Sequence, residues 1–566
     1  MPHQAKMPIA GASDRMACDD PVAEAMHVEG ASAAEVMDSD QKYVMPIGID
    51  NYEKLILTRS DGMPYWSADK SLFIKAILAS GSEISLITRP RRFGKTLNLS
   101  MLKYFFDSNH AEKNRKLFDG LAICKHPLAM EHQGQYPVVS VSFKAIGGKN
   151  LEEQVAGFRT AMSELYYEHD YLLDEGSGKL SRTQKTYFEK ICSEGATRVE
   201  LQSSLKRLIG YVGKYFDKQV VALVDEYDNP LLSAFHGGFE EDFRQFYRNF
   251  LGQALKDNEV VYKGVLTGIA QIAGAGLFSE FNNPDISHIL DDRYAQYFGF
   301  TEKEVKQLLR DVGRPEYFDE VSAWYNGYLF GEKGLVIYNP WSVLKYIHNG
   351  GKARAYWAYT SDNALLRKEL LGANEYTKEK LAKLMQPGAK LLVDMGSFLR
   401  FAEVGVGKED SLWVLLMSAG YLKAHYLGVF DGLSKLELRI PNKEIAFIYQ
   451  QVFKSWLTEK LESIRRDPKS LLMQLQSGNM EVFCQELETF FLATVSSHDV
   501  RSDNVETFYH GFVLALLGLL NTTHKGILHS NQETGLGRAD IIFEPRDMAN
   551  DVGIVIELKR LGPSSH

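Results

Sequence analysis

The amino-acid sequence predicts an α/β protein in three ordered parts: a parallel-sheet core carrying a phosphate-binding loop, a mainly helical middle, and a smaller α/β domain at the C-terminus. Three observations predict it. Apolar strand-like runs alternate with helical patterns between residues 83 and 270, the signature of a largely parallel sheet with helical crossovers. Within that region ITRPRRFGKTLNLS (87–100) sets Gly-Lys-Thr between an apolar run and a helical pattern. Near the C-terminus, Asp540 lies on one apolar run, and Glu557 and Lys559, two apart, lie on the next.

Composition narrows the functional classes. The chain has 566 residues, long enough for several domains, each burying its own core. It is 45% hydrophobic and 24% charged, as soluble globular proteins are. A net charge of −9 argues against wholesale coating of DNA and leaves local basic patches open. Four cysteines (Cys18, Cys124, Cys192, Cys484) lie far apart, without zinc-ligand spacing or a disulfide framework, so a reducing cytoplasm fits. The apolar run GFVLALLGLL (511–520) is too short to span a bilayer, and no membrane association is expected. The N-terminus lacks the apolar core of a secretory signal. Residues 1–44, with few large aliphatics, read as a disordered tail.

The expected divisions are the tail at 1–44, the phosphate-loop domain at 45–300, a mainly helical connecting region at 301–470, and the C-terminal domain at 471–566. Order begins near YVMPIGIDNYEKLI (43–56), and YWSADKSLFIKAILASG (65–81) is a turn entering an amphipathic helix. EISLI (83–87) and YPVVSVSF (136–143) are strands. Residues 150–215 look helical, with a polar interruption at 174–184. QVVALVDEYDNP (219–230) is an apolar strand ending in acids, and its unbroken apolar run fits burial on both faces. FEEDFRQFYRNFLGQAL (239–255) is a helix with an aromatic stripe, and VVYKGVLTGIA (260–270) is a further strand. From 301 helical patterns dominate. MEVFCQELETFFLATV (480–495) and VETFYHGFVLALLGLL (505–520) are helices, and GRADIIFEP (537–545) and VGIVIELKR (552–560) are strands.

The full phosphate-loop pattern asks for Gly at position 89, where this chain has Arg89. Pro90 also removes one backbone donor. The remaining residues suit a triphosphate. Lys95 would neutralise the β- and γ-phosphates, the Thr96 hydroxyl would ligate Mg²⁺, and backbone N–H groups of 92–96 (Arg92, Phe93, Gly94 and their successors) would cradle phosphate oxygens at a helix N-terminus. A basic turn capping a helix would explain FGKT equally well. The second element tips the balance: VVALVDEYD ends in Asp225 and Glu226, for metal binding and for polarising the attacking water. Thr267, ending its strand, could sense the γ-phosphate, or merely end a strand. Arg91, Arg92 and Arg293 are candidates for stabilising transferred charge, though solvated or structural arginine explains each.

These motifs together resemble the bacterial AAA-ATPase-like family. MPIGIDNYEKLI, ADKSLFIKAIL, TRPRRFGKTLNLSMLKYFF, LFDGLAI, VDEYDNPL, FGFTEKEV, WYNGYLF and YNPWSVLKYI carry the resemblance, from about residue 45 to the C-terminus. That family carries RPRRFGK[ST] in place of the full Gly pattern, so the resemblance implies that Arg89 is a family feature, and it implies ATP as the nucleotide.

At the C-terminus, Asp on one strand followed by Glu-x-Lys on the next is the pattern of PD-(D/E)XK nucleases. There two carboxylates, here Asp540 and Glu557, hold Mg²⁺ or Mn²⁺, and a lysine, here Lys559, orients or activates the water. Glu506 and Glu533 are candidates for a third carboxylate. A β-hairpin with a charged edge is the plainer reading of the pattern alone. The same family resemblance extends here through SNQETGLGRAD and the later ELK, with IPNKE (440–444) and LLMSAGYL (415–422) resembling the connecting region. The sequence ends seven residues after Lys559, so this nuclease-like domain is expected to lack a final strand and its covering helix.

The expectation is therefore a P-loop ATPase with ATP and Mg²⁺, coupled to metal-dependent cleavage of DNA or RNA. The alternative is a nucleotide-dependent switch or binding module whose nuclease-like domain is inactive. The oligomeric state stays open.

Overall fold

The computed structural model describes residues 42–271 except 58, 60 and 175–177; 284–358; 377, 380–381, 384–385 and 388–395; 409–463; 473–494; and 513, 526–533, 538–545, 547 and 552–557. The chain divides into two units, 1–42 and 43–566, and the description concerns the second. Order begins slightly before the expected limit of the tail: Val44 bridges Tyr65 in parallel, and Met45 is buried.

The core is a five-stranded sheet of β1 (Ile84–Thr88), β2 (Val138–Ser142), β3 (Val220–Asp225), β4 (Val261–Gly268) and β5 (Asp285–Ser287), in the order β2-β3-β4-β1-β5. Every pairing is parallel. β1 and β3 are buried at every position, because helices cover both faces. Alternate residues serve opposite cores: Val221, Leu223 and Val265 pack with the helix Lys95–Phe106, whereas Val220, Ala222, Val224 and Leu266 pack against Leu151–Tyr167, Ser204–Phe216 and Glu240–Leu255. The aromatic stripe of the last helix (Phe243, Phe246, Tyr247, Phe250) is fully buried there. Pro230, shortly after β3, lies within a helix. It stands in the first turn of the helix Asn229–Gly237, where its missing N–H has no intrahelical partner to lose.

The middle region is less helical than its sequence suggests. Beside its helices it holds two three-stranded antiparallel sheets: β6 (Phe300–Thr301), β7 (Tyr328–Phe330) and β8 (Leu335–Tyr338), then β9 (Leu391–Met395), β10 (Lys423–Phe430) and β11 (Leu433–Arg439). Four of these six strands have five residues or fewer, and β10 is interrupted by Gly428, so most of their period-2 signal is brief beside the helical patterns around them. Residues of this region, among them Tyr328, Phe330, Trp357 and Leu422, share a core with Ile87 and Phe93. The middle of the chain therefore forms the back wall of the loop that follows β1.

The C-terminal described part holds the helix Met480–Thr494 and an antiparallel meander of β12 (Gly526–Glu533), β13 (Arg538–Pro545) and β14 (Ile554–Ile556). β13 and β14 fall where strands were expected, and β12 adds a third. The second expected helix, 505–520, lies outside the described residues except for residue 513. Among the described residues, no helix is long and apolar enough to cross a membrane.

Candidate functional site

The parallel ladder brings the C-terminal ends of β1, β3 and β4 to one edge: Thr88 pairs with Gly268 and Val224 with Leu266. Because β4 lies between β1 and β3, Asp225 is two strands from the loop that follows β1, with Thr267 between them. Ligand crevices in open α/β sheets form at such strand ends.

The loop itself is built on three local devices. Gly94, at φ 84°, takes the left-handed conformation that starts the helix Lys95–Phe106. Arg92 also has positive φ, 68°, which is costly for a residue with a Cβ, and its guanidinium lies over the Trp341 ring at 4.5 Å. Phe93 is fully buried between Tyr328 and Phe330, and its carbonyl accepts the Gly299 N–H at 2.9 Å. Phe93 is thus a packing anchor, while its backbone still belongs to the loop.

Arg89 explains why the loop tolerates the missing glycine. Its side chain leaves the loop and is completely buried. It donates to the Thr88 carbonyl at 2.8 Å, the Ser287 carbonyl at 3.1 Å and the Ser287 hydroxyl at 3.2 Å, and stands over the rings of Phe298 and Phe330. Its backbone N–H bonds the Gly268 carbonyl at 3.0 Å. Burial lowers the guanidinium to about 10, still charged at neutral pH. Arg89 pins the loop to the edge strand β5, a role the sequence did not announce.

Lys95 opens the helix and is buried. Its ammonium donates to the carbonyls of Arg89 and Pro90, both at 3.1 Å, spanning the loop. Burial pushes its pKa below the ordinary lysine value, and the charges of Glu226, Asp225 and Asp228 oppose that shift. The next residue, Thr96, donates its hydroxyl to Asp225 Oδ2 at 2.6 Å. Thr267 donates to Asp225 Oδ1 at 2.5 Å, and the Glu226 N–H reaches the same oxygen at 3.1 Å. Two residues far apart in sequence, Thr96 and Thr267, thus converge on one carboxylate. Glu226 adopts φ 52°, a strained conformation for glutamate, and burial raises its carboxyl above the ordinary value.

Among the proposed charge-stabilising arginines, Arg92 is stacked on Trp341, and Arg293 is paired with Asp285 and stands over Tyr294. Arg91 is near enough to Lys95 and Glu226 for its charge to bear on both. Sequence reasoning missed Trp341, which carries no signal beyond an aromatic near a helix start, and Asp228. The acid three residues after Asp225 was a legible signal for Asp228.

The C-terminal acids form a different arrangement. Ile541 pairs with Ile556 and Ile542 with Val555, and one further step of that register, just past the end of β14, would set Asp540 opposite Glu557. Ile541 and Phe543 are buried on the inner face, whereas Asp540 is half-buried and Glu557 exposed on the other. Glu533 pairs in register with Arg538. Lys559 and Glu506 lie outside the described residues. Among the described residues, no group of three or more His, Cys, Asp or Glu is placed to hold a metal.

The chain is 27% identical over 472 residues to an uncharacterized protein in the vnfD 5′ region of Azotobacter chroococcum mcd 1, an alignment covering 83% of this chain and 80% of that protein. Residues 46–278 match the AAA-ATPase-like family model, described as a predicted AAA-ATPase, and the loop at 89–96, Asp225, Glu226 and Thr267 all fall within that span.

Proposed function

We propose that this protein binds and hydrolyses ATP at the edge formed by β1, β3 and β4. The observation that carries the reading is the convergence of Thr96 and Thr267 on Asp225, beside a loop whose lysine spans its own carbonyls. A hydroxyl and a carboxylate oxygen in contact are oxygen donors of the kind a hard divalent cation takes, so these residues fit Mg²⁺. When bound, Mg²⁺ neutralises charge on the transferring phosphoryl group. Thr96 and Asp225 would hold it.

The chain's own groups do the rest. Amides of Arg92–Thr96 bind phosphate oxygens at the helix N-terminus. Lys95 exchanges two weak carbonyl partners for phosphate, a stronger charge-assisted interaction. Glu226, its proton affinity raised by burial, accepts the proton of the attacking water. Positioning and charge stabilisation supply the catalysis, with no covalent intermediate on the protein. Calorimetry with Mg·ATP tests the reading. Wild type is expected to bind, and Lys95→Ala to lose about 100-fold or more in affinity, on the order of 3 kcal/mol. Equal binding by both proteins would refute it.

A second reading, that ATP turnover gates cleavage of DNA or RNA by the C-terminal domain, is supported by the facing register of Asp540 and Glu557. Its test is nicking of plasmid with Mg²⁺ or Mn²⁺, abolished by Lys559→Ala. Absence of nicking by the wild type favours a nucleotide-dependent switch instead.

A further inference from the structure

Asp228 is 1% exposed and forms none of the contacts assigned above to substrate or metal. Its Oδ2 accepts two backbone N–H groups, from Ile269 at 2.7 Å and Ala270 at 2.9 Å. Those residues directly follow Thr267 and Gly268. Three further hydrogen bonds join the same two segments. Tyr227 N–H donates to the Thr267 carbonyl at 3.0 Å, the Tyr227 hydroxyl donates to the Ala270 carbonyl at 2.7 Å, and the Thr267 hydroxyl donates to Asp225. The approach is close enough to require glycine at 268: a Cβ there would lie 2.6 Å from Asp228 Oδ1 and 2.7 Å from the Tyr227 ring. Tyr247 adds a brace from the helix Glu240–Leu255, its hydroxyl donating to the Tyr227 carbonyl at 2.5 Å.

Burying a carboxylate is costly, and burial raises the Asp228 carboxyl above its ordinary value, opposed by the two amides and by the Lys95 charge. A fold that needed only a turn after β3 could make it with a neutral residue. What the carboxylate secures is the exit of β4, which carries Thr267 to Asp225 and lies beside the strained Glu226. Asp225, Glu226, Tyr227 and Asp228 form one continuous segment, so fixing the β4 exit to this segment fixes Thr267 against the metal-binding and base residues together.

We propose that Asp228 is a positioning residue for ATP hydrolysis, clamping the chain after β4 so that Thr267 holds Asp225 and Glu226 in the reacting arrangement. The proposal rests on the ATPase reading above. It distinguishes two functions within DEYD: the first two acids face the nucleotide, and the last two residues hold the neighbouring strand exit.

The test uses the full chain and three measurements: Mg·ATP affinity, phosphate release, and binding of Mg·ADP with aluminium fluoride, a mimic of the transferring phosphoryl group. Asp228→Asn keeps an acceptor oxygen for the two amides and is the variant expected to fold. It should bind Mg·ATP within about twofold of wild type, while phosphate release and aluminium fluoride complex formation both fall about tenfold. Asp228→Ala should fall further. In a Thr267→Val background, Asp228→Asn should cost much less than in wild type, because the clamp then has no hydroxyl to position. Wild-type phosphate release by Asp228→Asn, or losses that simply multiply with Thr267→Val, would overturn the proposal and leave the ATPase reading intact. Failure of the wild type to bind or hydrolyse Mg·ATP would overturn both.

Discussion

The two acidic sites of this molecule are held in opposite ways. Asp225 is 6% exposed at the end of a wholly buried strand, and its oxygens accept from Thr96, Thr267 and the Glu226 amide. Asp540 and Glu557 lie at the end of one antiparallel pair, one register step beyond Ile541 and Ile556, on the more exposed face of a small meander. The first site needs the whole parallel sheet to exist, because residues 96, 225 and 267 meet only through the strand order. The second needs one correct register. A buried carboxylate must be satisfied by fixed donors and is therefore preorganised, whereas a carboxylate open to water depends on them less. The difference teaches that the parallel core fixes its carboxylate through the fold itself.

The largest expected effect would break that comparison at the core. Glu226→Gln should lower phosphate release about 100-fold or more while changing Mg·ATP affinity by no more than about twofold, as measured by release assay and calorimetry. Because burial raises the Glu226 carboxyl, the wild-type rate should rise with pH through that raised value as the base loses its proton, and the variant should lose this limb.

Arg89→Gly restores the ordinary phosphate-loop pattern yet removes the guanidinium that ties the loop to β5. It should destabilise the protein by about 3 kcal/mol and weaken nucleotide binding, read by thermal melting and calorimetry. Stronger binding by the glycine variant would show that Arg89 is an encumbrance rather than a staple.

A smaller effect sharpens how the middle region backs the loop. Glu444, fully buried, accepts from the Ser342 hydroxyl at 2.9 Å and from the Trp357 N–H at 2.8 Å, joining three segments of that back wall. Burial pushes its carboxyl up from 4.5 to about 7. The folded state therefore holds this proton more tightly than the unfolded chain, and the stabilisation is full below the ordinary value and lost as pH rises through about 7. Melting temperature should fall by about 2 °C over that window, and Glu444→Gln should flatten the fall.

The smallest effect belongs to the C-terminal pair. Asp540→Asn removes a like charge opposite Glu557 and should stabilise the metal-free protein by about 0.5 kcal/mol, seen as a slight rise in melting temperature. A clear loss of stability would mean that the Asp540 charge is net stabilising where it stands, and the contrast between the sites would fall.

Much of the core was legible because its signals are local. EISLI, FGKT and VVALVDEYD each declare a strand or a helix start through hydrophobic run, glycine and charge, and those elements formed where expected. The strands of the middle region were not legible: four of the six have only two to five residues, which beside strong helical patterns give little period-2 signal, and the eight-residue β10 is interrupted by Gly428. Asp228 stood in plain view as an acid, but its task depends on Ile269 and Ala270, some forty residues away.

By itself the sequence determined which residue types stand at strand ends and helix starts, because backbone preference and side-chain periodicity act over a few neighbours. It placed Lys95 and Thr96 at a helix N-terminus and acids at the end of β3. Only the tertiary structure decided that β4 lies between β1 and β3, that Arg89 turns inward to reach Ser287, and that Thr267 and Thr96 share one carboxylate. Strand order and the direction of a buried side chain are set by long-range packing of both sheet faces, a cooperative property of the whole chain that no local stretch encodes.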